Sequence, residues 1–132
     1  MTAAPGLEPT SETASSGRTR QHAGARWWSL DIHAHSPASF DYGGLEGSTS
    51  HDPKPTFKEW IKTYIDAKVD GIVITDHNSH EGIDPARQAL EELRREDPDL
   101  RPFVIFPGVE LTATGGVHIL GIFDPGSDAE VV

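Results

Sequence analysis

The run Gly71-Ile72-Val73-Ile74-Thr75 constrains the fold most. Its β-branched residues follow one another without a polar face. Such a strand is covered on both sides, as in a parallel sheet flanked by helices. The flanking segments agree. Upstream, Thr56-Phe57-Lys58-Glu59 matches a capping box, with Thr56 at the N-cap and Glu59 three residues on. Phe57, Trp60, Ile61, Tyr64 and Ile65 then recur at helical spacing as one apolar stripe. Downstream, a second helix is expected to start at Asp84 with Pro85 at its first position. Ala86, Ala89, Leu90 and Leu93 form its stripe, and Asp97-Pro98 stops it.

Two further strands are expected before and after this unit, at Arg26–Ile32 and Phe103–Phe106, the latter closed by Pro107-Gly108. Strand–helix–strand–helix–strand is the order of parallel βαβ units. A fourth strand, Val117–Phe123, follows too closely for a crossover, and Gly115-Gly116 marks a tight turn. The expected class is therefore α/β, βαβαβ followed by a β-hairpin strand. A long Gly-, Ser- and Pro-rich loop, Ser36–Pro55, separates the first strand from the first helix. Loops of that length in compact domains are usually functional or disordered.

Sites in parallel α/β folds form at the carboxyl ends of strands. His33 and His35 close the first strand. One residue apart, they point the same way and make a ready chelate for Zn, Fe, Cu or Ni. That pair alone is a weak signal, since turns also carry histidines. Asp76 and His77 follow the second strand, Glu110 follows the third, and His118 begins the fourth. Because the fourth strand should run antiparallel, its start lies at the rim where the third ends. Scattered histidines have no reason to fall at strand ends of one polarity. So many ionisable groups on one rim would repel or desolvate one another, and metal cations offset that cost.

Composition narrows the chemistry. The 132 residues are about one domain's worth, 36% hydrophobic and 24% charged. Eleven basic against 21 acidic residues give a net charge of −10, which does not itself attract nucleic acid or an anionic membrane. There is no cysteine, so disulfides and zinc-thiolate sites are excluded and any metal is held by nitrogen and oxygen ligands. That fits a reducing compartment, and a cytoplasmic location is expected. No segment is long and apolar enough to span a membrane as a helix. Residues 1–25 are rich in Ala, Ser, Thr, Gly and Pro without periodicity and read as a disordered leader, leaving 26–132 as the domain.

The motifs Leu30-Asp31-Ile32-His33-Ala34-His35-Ser36, Gly71-Ile72-Val73-Ile74-Thr75-Asp76-His77-Asn78, Pro107-Gly108-Val109-Glu110 and Val117-His118-Ile119-Leu120-Gly121 resemble the opening motifs of the PHP (polymerase and histidinol phosphatase) domain. The resemblance runs from Trp27 to about Phe123. It implies the N-terminal part of a distorted (β/α) barrel, divalent metals (Zn, Mn or Fe, up to three in a complete domain) and phosphoesterase activity. It also implies the metal ligands: the first-motif pair His33 and His35, then Asp41, His77 with Asp76 as ligand or supporting partner, the bridging Glu110, and His118. His33, His35, His77 and Glu110 would form the catalytic centre. A whole domain of this type continues through more βα units and adds another histidine and a late Asp-x-His pair, whereas this chain ends at Val132. The expectation is a fragment or a degenerate short form, with an open last strand.

Two metals about 3.5–4 Å apart can activate water and clamp a phosphate. In that reading Glu110 bridges the ions, His33 and His35 hold one, and Asp41 and His77 hold the other. His51 and His80 are candidate proton donors, although plain exposed histidines explain them more simply; His22 is assigned nothing. The implied substrate is a phosphate ester, with nucleotides and nucleic acid among the candidates. A second reading is a catalytically silent, metal-stabilised module that serves an ATPase or polymerase partner. The Trp27-Trp28 start and the loop Ser36–Gly43 are similar to PHP modules at the head of large ATPase-containing proteins. A third is an amidohydrolase-like barrel, which also opens on an H-x-H strand.

Overall fold

The computed structural model describes residues 26–43 and 53–132. The expected leader, with His22, and His51 lie outside the described residues. The elements are β1 (Leu30–Ala34), α1 (Phe57–Asp66), β2 (Gly71–Ile74), α2 (Ile83–Glu96), β3 (Val104–Ala113) and β4 (Val117–Ile122), followed by a short 3-10 turn at Ala129–Val131. They make a mixed α/β fold with one four-stranded sheet in the order β1-β2-β3-β4. β1 and β3 flank β2 in parallel, and β4 returns antiparallel to β3. The βαβαβ-plus-hairpin order is thus present, in an arrangement compatible with part of a barrel. No helix among the described residues is long and apolar enough to cross a membrane.

Both helices cover one face of the sheet. Ile72 and Ile74 of β2 and Ile105 of β3 pack there with Trp60, Ile61 and Ile65 of α1 and Ile83, Ala86, Leu90 and Leu93 of α2. The stripe expected for α1 is the one buried, with Trp60 edge-on to both Phe57 and Tyr64. The capping box forms: the Thr56 hydroxyl accepts from the Glu59 N–H, and the Glu59 carboxylate accepts from the Thr56 N–H at 2.8 Å. Asp31 pairs with Ile72 and so lies on the helix side of β1; burial, and next the Asp31 carboxylate, push the Tyr64 hydroxyl up to about 12.

α2 begins one residue earlier than Asp84, with Gly82 as its N-cap and no side-chain cap. Pro85 then sits third in the helix, still in the turn where a missing N–H costs nothing. Gly82 is required there by its surroundings, since a Cβ at that position would lie 2.1 Å from Ser36 Oγ.

Two irregularities aim the site. The first is in β1. Leu30 and Asp31 pair with Gly71 and Ile72, but Ala34 pairs with Ile74, so β1 carries one extra residue. This is the signature of a β-bulge. Leu30 and Val104 flank the position of a Gly71 Cβ, on the face away from the helices. Strict alternation would put Ala34 there as well. The extra residue instead turns Ala34 into the helix-side core, 3% exposed. Its neighbours His33 and His35 therefore face the open side.

The second is in β3. Pro107-Gly108 does not end the strand. Val104–Pro107 pair with β2, and Gly108–Ala113 pair with β4. A Cβ on Gly108 would come within 2.8 Å of the Gly121 carbonyl oxygen and 2.9 Å of that of Ile74, so glycine lets one strand be gripped from both sides. Gly115 and Gly116, with φ of +89° and +77°, make the turn into β4.

Candidate metal centre

The open face gathers its polar residues at one rim. His77 bridges to Glu110 just beyond the parallel ladder, and Glu110 and His118 follow on β3 and β4. Glu110 is the centre, its side chain 3% exposed. Its Oε2 lies 3.0 Å from His33 Nε2, 2.9 Å from His35 Nε2 and 3.4 Å from His77 Nε2. Its Oε1 contacts His118 Nδ1. Asp41, from the loop after β1, places Oδ1 3.0 Å from His35 Nδ1 and Oδ2 3.1 Å from His77 Nε2. The structure thus brings together His33, His35, Asp41, His77, Glu110 and His118.

Among the described residues, three overlapping trios offer ligand atoms within 4.8 Å of one another: His33, His35 and Glu110; His35, Asp41 and His77; and His77, Glu110 and His118. The cluster can hold divalent metal. The donor chemistry supports this. His33 Nε2 and His35 Nε2 approach each other to 3.2 Å while both address the same carboxylate oxygen. Three ligand atoms converging in this way suit a cation better than they suit one another.

The ionisation of the metal-free cluster follows from its contacts. Burial raises the Glu110 carboxyl, but hydrogen bonds from His33 and His35 and the charge of His77 outweigh it and hold it below the ordinary range. Burial lowers His35, and the Asp41 and Glu110 carboxylates outweigh that, leaving it raised. Asp41 is raised by burial but held low by the Ser39 hydroxyl and His35. Each contact is of the kind a metal would replace, because ligation needs neutral imidazole and ionised carboxylate.

Asp76 sits apart from the trios. Its carboxylate is turned into the protein, where it accepts from the N–H and the hydroxyl of Ser36, both at 2.6 Å. His80 is exposed in the loop before α2.

No protein-family model matches the chain, and no curated protein matches it. Among solved structures, it is similar to an amidohydrolase from Chromobacterium violaceum determined with bound sulfate and no metal. The two share 25% identity and a TM-score of 0.48, over 74% of this chain and 29% of the other. The chain therefore spans about three tenths of the length of that protein.

Several residues at the rim carry no motif of their own. The Ser39 hydroxyl donates to Asp41, and Lys54 donates to the Ser39 carbonyl at 2.5 Å, so the loop carrying Asp41 is held from two sides. Phe40 lies beside His77, ring centres 5.5 Å apart, and is 81% exposed at the edge of the cluster. Asp41, six residues after His35, was expected as a ligand only through the family resemblance; the residues that fix its loop become visible only in three dimensions. At the opposite strand ends, the same face carries an apolar groove of about 390 Å³ between Trp28, Leu30, Val104 and Phe106.

Proposed function

We propose that this chain carries the metal centre of a phosphoesterase, a divalent-metal-dependent hydrolase. One observation carries the reading. The two oxygens of Glu110 are divided, Oε2 toward His33 and His35 and Oε1 toward His118, with His77 close to Oε2. A carboxylate divided in this way suits two cations. His33 and His35 would hold one; His77 and His118, whose ligand atoms form a second trio with Glu110, would hold the other.

The tautomers agree. A neutral imidazole has one lone pair. If His35 ligates through Nε2, its Nδ1–H donates to Asp41 Oδ1 at 3.0 Å. That is the carboxylate–histidine pairing usual behind a metal, where it fixes the ring and raises its basicity. Asp41 Oδ2 remains beside His77 Nε2 and is free to join the second cation.

Divalent ions held at such a centre would supply Lewis acidity and lower the pKa of a water toward about 7. The protein's part is to orient and to balance charge. With neutral imidazoles, Asp41 and Glu110 give the cluster two negative charges, and two divalent ions reverse this to two positive. That balance suits a phosphate anion, in a chain whose overall charge of −10 would otherwise repel it. His33 and His118, 45% and 49% exposed, leave the centre open on one side for a ligand to enter. The PHP-like motifs support the same substrate class.

The test is turnover with Mn²⁺ or Zn²⁺ of three chromogenic substrates: a phosphomonoester, a phosphodiester and an amide. Phosphoester hydrolysis that disappears in His33→Ala/His35→Ala is the expected result. Hydrolysis of the amide alone would reassign the chemistry. Metal binding with no turnover of any of them would favour a silent module.

A further inference from the structure

We infer that Asp76 is not a metal ligand but the positioning residue whose side chain holds the ligands of β1 and β2 in register, beside the backbone link to β3. The inference rests on the metal-centre reading above. Asp76 is 1% exposed, and Ser36 is fully buried. The Ser36 N–H donates to Oδ1 and the Ser36 hydroxyl to Oδ2, each at 2.6 Å. The Ser36 oxygen in turn accepts from the Ala38 N–H at 3.1 Å. Gly82 closes over the pair, since a Cβ there would lie 2.1 Å from Ser36 Oγ and 2.6 Å from Asp76 Oδ2. Both carboxylate oxygens are therefore engaged, inside the protein and outside every trio of ligand atoms.

The sequence neighbours give this pair its purpose. His35 immediately precedes Ser36, and His77 immediately follows Asp76. Joining Ser36 to Asp76 sets the separation of the His35 and His77 rings, 4.9 Å apart and edge-on, with Asp41 between their nitrogens. The Asp76 backbone reaches the third strand: its carbonyl accepts from the Glu110 N–H at 3.1 Å, and the Glu110 carbonyl accepts from the Asn78 N–H at 3.1 Å. One residue thus ties the ligand-bearing ends of β1, β2 and β3. A buried carboxylate with two short charge-assisted hydrogen bonds is a stiff tether.

The experiment uses the 132-residue protein with Zn²⁺ alone as the probe, comparing wild type, Asp76→Asn, Asp76→Ala and His77→Ala by calorimetric titration and by ring-proton NOEs in the metal-free state. Asp76→Asn keeps an acceptor for the Ser36 N–H and an adjoining polar group for its hydroxyl. It should bind the wild-type number of ions with an affinity loss below about five-fold, the scale of one neutral hydrogen bond. Asp76→Ala should keep the ion number but weaken binding by about 10–100-fold, as removal of outer partners does. It should also lose the His35–His77 NOE without loss of helical circular dichroism. His77→Ala should lose an ion outright. If Asp76→Asn loses an ion as His77→Ala does, Asp76 is a ligand and the inference is overturned. If Asp76→Ala fails to fold, the Asp76→Asn ion count still decides. If wild type binds no Zn²⁺, the metal-centre reading fails, and the NOE comparison alone decides whether Asp76 sets the geometry.

Discussion

Glu110 shows how much a single buried carboxylate organises. Without metal and against the burial of each, Glu110 is held low by hydrogen bonds from His33 and His35, Asp41 is held low by the Ser39 hydroxyl and His35, and His35 is held high by Asp41 and Glu110. The signs give a pH dependence. His35, raised above 6.5, stabilises the fold fully below that value, and its contribution fades as pH rises through its folded value. Glu110, lowered below 4.5, stabilises fully above that value, and its contribution fades as pH falls through its folded value. The metal-free cluster is therefore most stabilising between about pH 4.5 and 6.5. Metal competes with protons for the same atoms, so the loaded protein should gain stability as pH rises. Thermal unfolding in chelator and in Zn²⁺, followed from about pH 6 to 8, should show opposite slopes. Parallel slopes would mean that the histidines do not ligate. His33, His35, His77, Glu110 and His118 were legible in the sequence because they stand at strand ends of one polarity, whereas Asp41 was expected only through the family resemblance. The inward turn of the Asp76 carboxylate was not legible, because its partner Ser36 is 40 residues away and no local pattern pairs the two.

At the scale of elements, local signals and tertiary contacts divided the outcome. The α1 capping box needs only residues three apart, and it forms as read. Thr56→Ala should cost about 1 kcal/mol. It should leave metal content unchanged, because the N-terminus of α1 takes no part in the cluster; a denaturant titration and metal analysis on the same sample check both. The end of β3 was misread because Pro107-Gly108 looks like a stop when only the local sequence is weighed. The strand continues because two neighbours close on Gly108. Gly108→Ala should therefore destabilise by about 1–3 kcal/mol, the usual cost of overpacking. It should also weaken metal binding, since Glu110 is two residues further along the same strand. A wild-type urea midpoint in this variant would contradict the close approach of β2 and β4. The β1 bulge was equally hidden: alternation gives His33 and His35 a common face, but only the pairing of Ala34 with Ile74 says which face it is.

For the whole molecule, the sheet is a divider. One face packs on the helices around Ile72, Ile74 and Ile105, while the other carries the cluster at its rim and leaves Leu30 and Ile32 exposed below it. The βαβαβ order and the returning β4 were legible because apolar periodicity and a Gly-Gly turn are global enough to set topology. We propose that this topology delivers a metal centre shared through Glu110. The direct measurement is metal analysis by mass spectrometry of purified wild type, Glu110→Ala and His33→Ala/His35→Ala after dialysis against Zn²⁺ or Mn²⁺. We predict two ions in wild type, fewer in the double histidine variant and the greatest loss in Glu110→Ala. Equal metal content in all three would mean that Glu110, His33 and His35 do not hold the metal.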